Sequence, residues 1–391
     1  MSEIAERAPE RRLRDGLRTC LWVFLGLRIG LWVLAAIGAG IIEPRPGISV
    51  PGWAADPITP GWHNLFTALT REDALWFLKI ATHGYGVNDG SAAFFPLYPL
   101  LVRIVSWVVG GHPLFASLVV SNGAFFLALL VLYDLTAREF SERVAHTTIV
   151  FVALFPTSFF FLAPYSESTF LLLSVATFWF ARRDRWALAA LAGALAALTR
   201  SIGVVLVPAL VILAFEQWRR EGRSLMPRLV ASAAMLVGPL MYLAWWQAAH
   251  GDFLAPLHAQ RNWSRTFASP LTTLVRAIQL SVHVGIQNQG YWIIDLLLVS
   301  VVIVAVVAGW RRLPVPYLVY ALGSLVIPLS YPFPPRPLLS MPRFVVVIFP
   351  AFWVMADASE RHRLPYTAVV ATFAAGLGLL AVLFMNWWYI F

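Results

Sequence analysis

The chain has 391 residues and a net charge of +9; 59% of its residues are hydrophobic and only 13% are charged. A soluble domain carries about 25% charged residues, so a soluble globular fold is excluded, and the long apolar runs exclude a disordered chain. The length leaves room for roughly nine to twelve membrane spans, and the single cysteine, Cys20, rules out an internal disulfide framework or a cysteine-based zinc site.

Apolar runs fall at 17–42, 94–110, 113–135, 147–163, 168–181, 186–198, 202–215, 229–247, 291–309, 316–330, 341–356 and 366–389. They are continuous rather than alternating, which reads as helices and not as strands of a membrane barrel. The expected fold is an all-α, polytopic integral membrane protein, a bundle of about 10–12 transmembrane helices forming one transmembrane domain over residues 1–391. The first run is too long for a signal-peptide core and ends in no small-residue cleavage site, so it reads as a retained span behind a cytoplasmic tail at 1–16.

Lys79 is the only lysine, so the positive charge is almost entirely arginine. Most of it sits in short loops: Arg11, Arg12 and Arg14; Arg138 and Arg143; Arg182, Arg183 and Arg185; Arg219, Arg220, Arg223 and Arg228; Arg311 and Arg312; Arg361 and Arg363. Placing these loops in the cytoplasm makes every boundary after Arg138 alternate, and it removes nucleic acid as the reason for the basic charge. Residues 43–93 then form the first extracytoplasmic loop. Two full crossings at 94–110 and 113–135 would leave Arg138 on the wrong side. The short run 94–110 opens with Phe94-Phe95-Pro96-Leu97-Tyr98-Pro99 and carries Arg103, so it is the expected partial segment.

Within the first loop, residues 43–60 are Pro- and Gly-rich and read as irregular, whereas Trp62–Gly84 has helical periodicity. On a wheel of about 100° per residue, Trp62, Phe66, Leu69, Phe77 and Ile80 cluster round Asp73, while Arg71 and Lys79 fall well away. This predicts an amphipathic interfacial helix with Asp73 in the centre of its apolar face and Glu72 beside it. A carboxylate there is costly unless it has a partner or a task. It is either an ion-pair partner for an arginine of a neighbouring helix or a general base in a water-poor cleft.

Three further outward segments carry polar residues. Pro164-Tyr165-Ser166-Glu167-Ser168 reads either as a helix start, with Ser166 as N-cap and Glu167 in the first turn, or as a sugar-binding lining made by Tyr165 and Glu167. Arg200, in Thr199-Arg200-Ser201, has no acidic neighbour in sequence; it either snorkels or faces a lipid phosphate, whose oxygens match the guanidinium fork. Arg343, in Ser340-Met341-Pro342-Arg343-Phe344, opens a late helix and has the same two readings. The segment from His250 to Arg265 holds Gln260, Arg261 and Trp263 and is polar enough to face an acceptor.

Taken together these segments resemble the PIG-V type mannosyltransferases of the GT-C superfamily. Thr70-Arg71-Glu72-Asp73-Ala74, continuing through Phe77, Ile80 and His83-Gly84-Tyr85, is similar to that family's first-loop signature. Ala93-Phe94-Phe95-Pro96-Leu97-Tyr98-Pro99-Leu100, Phe155-Pro156, Tyr165-Ser166-Glu167, Thr199-Arg200-Ser201-Ile202-Gly203 and Ser340–Phe344 follow in the same order. Two positions depart from the pattern: Glu72 stands where the family usually has Trp, and Trp76 where a His or other polar residue is expected. The resemblance implies transfer of mannose from a polyprenyl-phosphate mannose to a hydroxyl acceptor (a glycolipid, glycan or protein) outside the cytoplasm. Asp73 is then the catalytic base, and Glu72, His83, Tyr85, Tyr165, Glu167, Arg200 and Arg343 bind substrate. With arginines to meet the leaving phosphate and no Asp-x-Asp pair or His cluster, an inverting mechanism without metal or other cofactor is expected. The location implied is the inner membrane if bacterial and the endoplasmic reticulum if eukaryotic. A related transferase of another sugar, or a transporter or lipid flippase, shares the composition, although no duplicated halves are visible.

Overall fold

In this computed structural model, residues 2–50, 53, 62–283 and 286–388 are described. Among them the chain is helical, with no strand beyond two isolated bridges, Val50–Trp53 and Phe333–Arg336. The helices run α1 Ser2–Ile41, α2 Trp62–Thr67, α3 Asp73–His83, α4 Leu97–Val108, α5 Pro113–Glu139, α6 Glu142–Leu154, α7 Glu167–Ala181, α8 Trp186–Thr199 and α9 Leu206–Glu221. They continue with α10 Met226–Ala234, α11 Val237–His250, α12 Ala255–Asn262, α13 Pro270–His283, α14 Ile286–Ala308, α15 Val315–Leu329, α16 Met341–Val345, α17 Phe349–Glu360 and α18 Tyr366–Met385.

Among the described residues, six helical stretches are long and apolar enough to cross a membrane by length and composition: Arg14–Ile41, Pro113–Glu139, Ser201–Glu221, Met226–His250, Gly290–Ala308 and Tyr366–Met385. Four shorter apolar helices, α4, α7, α8 and α15, join them. Their outer faces are apolar as well: Trp22, Leu191, Val304 and Leu379 are all more than half exposed, the inverse of a water-soluble surface. The fold is therefore a polytopic membrane bundle.

Local chemistry accounts for several boundaries. Pro113 opens α5, where its missing N–H costs nothing. The Ser141 hydroxyl accepts from the Val144 N–H to cap α6, and Glu142 follows in the first turn. Gly222 and Gly251 end α9 and α11 in left-handed conformation, the cheap way to stop a helix. At 12 residues α4 rises about 18 Å, short of a hydrocarbon core of about 30 Å. The run 94–110, expected to be a partial segment, folds as this helix.

The first-loop helix differs from the expectation. The segment folds as two helices separated by a turn at 68–72, and α3 is buried along the whole of Ala74–Ala81 instead of lying with one face in water. Arg71 and Lys79, which the wheel turns outward, are buried too. Nε of Arg71 donates to the Met385 carbonyl at 3.1 Å, and Nη1 donates to the Thr67 and Thr70 carbonyls, each at 3.0 Å. Lys79 pairs with Asp89. The periodicity identified the apolar face but took a tertiary clamp for a solvent face. The Trp62 side chain and residues 51–52 and 54–61 lie outside the described residues.

The late run 341–356 also divides, into α16 and α17 with a break at 346–348. The core is continuous from α1 to α18. Its centre is α7, which packs against α5 and α8. The non-helical chain leading into α7 is buried from Phe155 to Ser166, where irregular backbone is tolerable at membrane depth because protein surrounds it.

Candidate functional site

A cavity of about 640 Å³ opens where the starts of α3, α7 and α16 meet the α8–α9 junction. Asp73 is the first residue of α3 and Glu167 the first residue of α7. Both carboxylates therefore sit at helix N-termini. Ser166 occupies the N-cap position of α7, but its hydroxyl makes no capping bond; it accepts from Nη1 of Arg200 at 3.3 Å instead.

Four charged groups form an alternating chain along the cavity. Arg343 Nη1 donates to Asp73 Oδ2 at 2.5 Å, and its Nε lies 3.2 Å from Glu167 Oε1. Arg200 Nη1 donates to the same Glu167 oxygen at 2.5 Å. The order is thus Asp73, Arg343, Glu167, Arg200. Glu167 is fully buried, and among the described residues its Oε2 and the Nε of Arg343 have no hydrogen-bond partner. Buried polar atoms are rarely left so, and here both belong to residues that line an open cavity. Phe344 lies between the two guanidinium groups, its ring centroid 4.7 Å from Arg200 and 5.1 Å from Arg343.

Backbone strain frames the central pair. Glu72 and Ser340, neither of them glycine, hold φ at 52° and 68°. One precedes Asp73, and the other begins the turn that carries Arg343. Such residues cost about 1–3 kcal/mol each and collect at functional sites. The Tyr165 hydroxyl donates to the Arg71 carbonyl at 2.8 Å, tying the start of α7 to the start of α3. The Thr157 hydroxyl donates to the Pro342 carbonyl at 2.8 Å and fixes α16. Burial first, and then the negative charge of Asp73, push the Glu72 carboxyl up to about 7.

Six of the eight residues singled out in sequence line this cavity: Glu72, Asp73, Tyr165, Glu167, Arg200 and Arg343. His83 and Tyr85 do not. His83 is exposed at the far end of α3 beside Thr82. Tyr85 donates to the Phe94 carbonyl at 2.8 Å and packs against Tyr242, Trp245 and Trp246. Eleven helical residues, Asp73–His83, carry the chain away from the cavity, about 16 Å of rise, so signature proximity in sequence does not become proximity in space. Arg200 and Arg343 are both ion-paired, which removes the snorkelling reading for each.

Sequence reasoning did not assemble the aromatic wall. Trp76 stacks on Phe94 with ring centroids 5.6 Å apart, and Trp263 closes edge-on against both. Trp263 comes from the polar 250–265 segment, as does Arg265, whose Nη2 donates to the Ser340 hydroxyl at 3.3 Å. An aromatic floor with a few convergent polar groups is the usual make-up of a small-molecule site.

Residues 53–245, which include the α3, α7 and α8–α9 parts of this site, match the family described as Mannosyltransferase (PIG-V). Over these residues the chain is similar to the PIG-V mannosyltransferases. It is 34% identical over 153 residues to the GPI alpha-1,6-mannosyltransferase 2 of Rattus norvegicus, which is 37% of this chain and 31% of that one. It is 33% identical over 165 residues to the Mus musculus protein of the same name, 40% of this chain and 33% of that one. The chain thus spans about a third of the length of these curated relatives. In fold, the chain is similar to ArnT from Cupriavidus metallidurans, solved bound to undecaprenyl phosphate, with a TM-score of 0.53 over 94% of this chain and 76% of that one at 13% identity. The apo form of ArnT aligns with a TM-score of 0.51 over 95% of this chain and 77% of that one at 16% identity. The membrane bundle shares its fold with ArnT.

Proposed function

We propose that the chain is a membrane glycosyltransferase that moves mannose from a polyprenyl-phosphate mannose to a hydroxyl acceptor, with Asp73 as general base. The observation that carries this is the charge chain Asp73–Arg343–Glu167–Arg200 along a cavity with an aromatic wall. Similarity to the PIG-V mannosyltransferases supports the sugar, and the undecaprenyl phosphate held by the fold neighbour ArnT supports a lipid-phosphate donor.

In this mechanism the donor phosphate meets the guanidinium groups of Arg343 and Arg200. It competes with Asp73 for Arg343 and frees the carboxylate to face the acceptor. The acceptor oxygen attacks the anomeric carbon while its proton passes to Asp73. The bond from that carbon to the phosphate oxygen breaks on the opposite side, so configuration inverts. The two arginines take up the charge on the departing polyprenyl phosphate without needing a metal ion. Trp76, Phe94 and Trp263 supply the face on which a sugar stacks. Glu72, Tyr165 and Glu167 border the same volume and bind or orient substrate.

The arginine-rich loops lie at the other end of α7 and α8 from the cavity, which supports an extracytoplasmic site. This orientation requires that α4 not cross fully, and its short length supports that. The membrane is the inner membrane in a bacterium and the endoplasmic reticulum in a eukaryote. Membranes containing the chain, incubated with radiolabelled polyprenyl-phosphate mannose, should yield labelled mannoside in an acceptor fraction. Absence of any chain-dependent labelled product would refute the reading.

A further inference from the structure

A second depression, of about 660 Å³, lies at the opposite end of the helices that hold the cavity. It is lined by Asp184, Arg185, Trp186, Leu188, Arg223 and Arg228, among others. Three arginines thus line the depression with one carboxylate, and Arg223 also pairs with Glu221 at 2.8 Å. Arg228 is only 3% exposed; its Nη2 donates to Asp184 Oδ1 at 2.8 Å, but its Nη1 is buried with no hydrogen-bond partner among the described residues. Arg223 shares the same aspartate at 2.7 Å. Arg185 is exposed and has no ion pair among the described residues. The N-termini of α8, 14 residues, and α10, 9 residues, also begin here and add their partial positive charge.

The surroundings indicate what occupies such a place. Leu188, Leu191, Met226 and Val230, on the adjoining turns of α8 and α10, are 40%, 57%, 68% and 61% exposed. A cationic pocket bordered by apolar side chains is the boundary between headgroups and acyl chains. The stretches Ser201–Glu221 and Met226–His250 each run between this depression and the cavity end, and each is long enough to cross the membrane.

We propose that this depression binds the phosphodiester headgroup of an anionic phospholipid in the leaflet opposite the substrate cavity. The unpartnered Nη1 of Arg228 and the unpaired Arg185 hold the phosphate oxygens, Asp184 keeps Arg223 and Arg228 in position, and the acyl chains lie along Leu188, Met226 and Val230. That the leaflet is the cytoplasmic one rests on the orientation proposed above. The site itself does not depend on the transferase reading.

The test is native mass spectrometry of the full chain released from nanodiscs of phosphatidylcholine alone and of the same lipid with about one fifth phosphatidylglycerol. Wild type is expected to retain phosphatidylglycerol in preference. Arg185→Gln should weaken retention about fivefold, and the Arg185→Gln/Arg223→Gln double variant about 25-fold, on the usual contribution of an arginine near an anionic surface. Arg185 has no ion pair among the described residues, so its single variant should melt as wild type does in phosphatidylcholine. Equal retention of the two lipids by wild type, or full retention by the double variant, overturns the proposal. So does a melting-temperature rise with inorganic phosphate alone that matches the rise with phosphatidylglycerol, because it makes free phosphate the ligand. Mannose transfer is not read, so this result stands apart from the fate of the transferase reading.

Discussion

Arg343 holds Asp73 from 270 positions away in the chain, through a 2.5 Å bond from Nη1 to Oδ2. The two readings of Asp73 open in sequence, ion-pair partner or general base, thus converge on one geometry. The guanidinium fixes the place of the carboxylate at the start of α3. A base has to be held in position until substrate arrives, and a phosphate arriving at Arg343 has a ready means of releasing it.

Asp73→Asn should keep the fold, since the amide oxygen still accepts from Arg343 and the helix start is unchanged. Transfer should fall by about 10²–10⁴, the usual contribution of a general base. Thermal melting together with the labelled-mannose assay separates the two effects. Near-normal turnover in a well-folded variant would remove Asp73 from the base role.

Arg343→Gln should be harsher, because Asp73 loses its partner and Glu167 keeps only Arg200. Removing one member of a buried pair costs about 3–5 kcal/mol, so the melting temperature should drop sharply along with activity. Arg343→Lys restores the charge without the fork. It should recover most of the stability but little of the transfer, since a point charge cannot hold a carboxylate and a phosphate as the guanidinium does. Equal recovery of both would argue that charge alone matters at this position.

How far these residues were readable from sequence depended on the kind of signal. The membrane bundle followed from continuous apolar runs, which lipid forces into helices. Asp73 stood out because charge is scarce and an apolar face makes a carboxylate costly. Arg71 and Lys79 were placed wrongly because helical periodicity cannot show what covers a polar face. The partners of Arg71 are the Met385, Thr67 and Thr70 carbonyls, and the first of these lies 314 residues away. The link between Glu167 and Arg343 was equally invisible, since an ion pair across the bundle leaves no local spacing.

Gly203 offers a test of how the α8–α9 junction places Arg200. A methyl group added there would lie 2.5 Å from the Ala197 Cα and 2.8 Å from the Ala196 carbonyl carbon, both backbone atoms that cannot swing aside. Gly203→Ala should cost about 1–3 kcal/mol by overpacking and pull Arg200 away from Glu167. The expected outcome is a lower melting temperature with a disproportionate rise in the KM for the lipid-linked donor. An unchanged KM would mean that the junction does not set the position of Arg200.

Glu72 should make stability depend on pH in a definite direction. Burial, and next the charge of Asp73, raise its carboxyl from the ordinary 4.5 to about 7 in the folded chain. Below about pH 4.5 both the folded and unfolded forms hold the proton, so there is no effect. Between about 4.5 and 7 the unfolded chain loses the proton while the folded chain keeps it, so stability falls as pH rises. Above about 7 both are ionised and the loss is complete. Glu72→Gln cannot ionise and escapes this loss. Its melting temperature should match wild type in acid, exceed it increasingly through pH 5–7 and stay above it by a constant margin beyond. Paired melting curves across that range give the check, and a margin that shrinks with rising pH would show that Glu72 is stabilised, not strained, in its charged form.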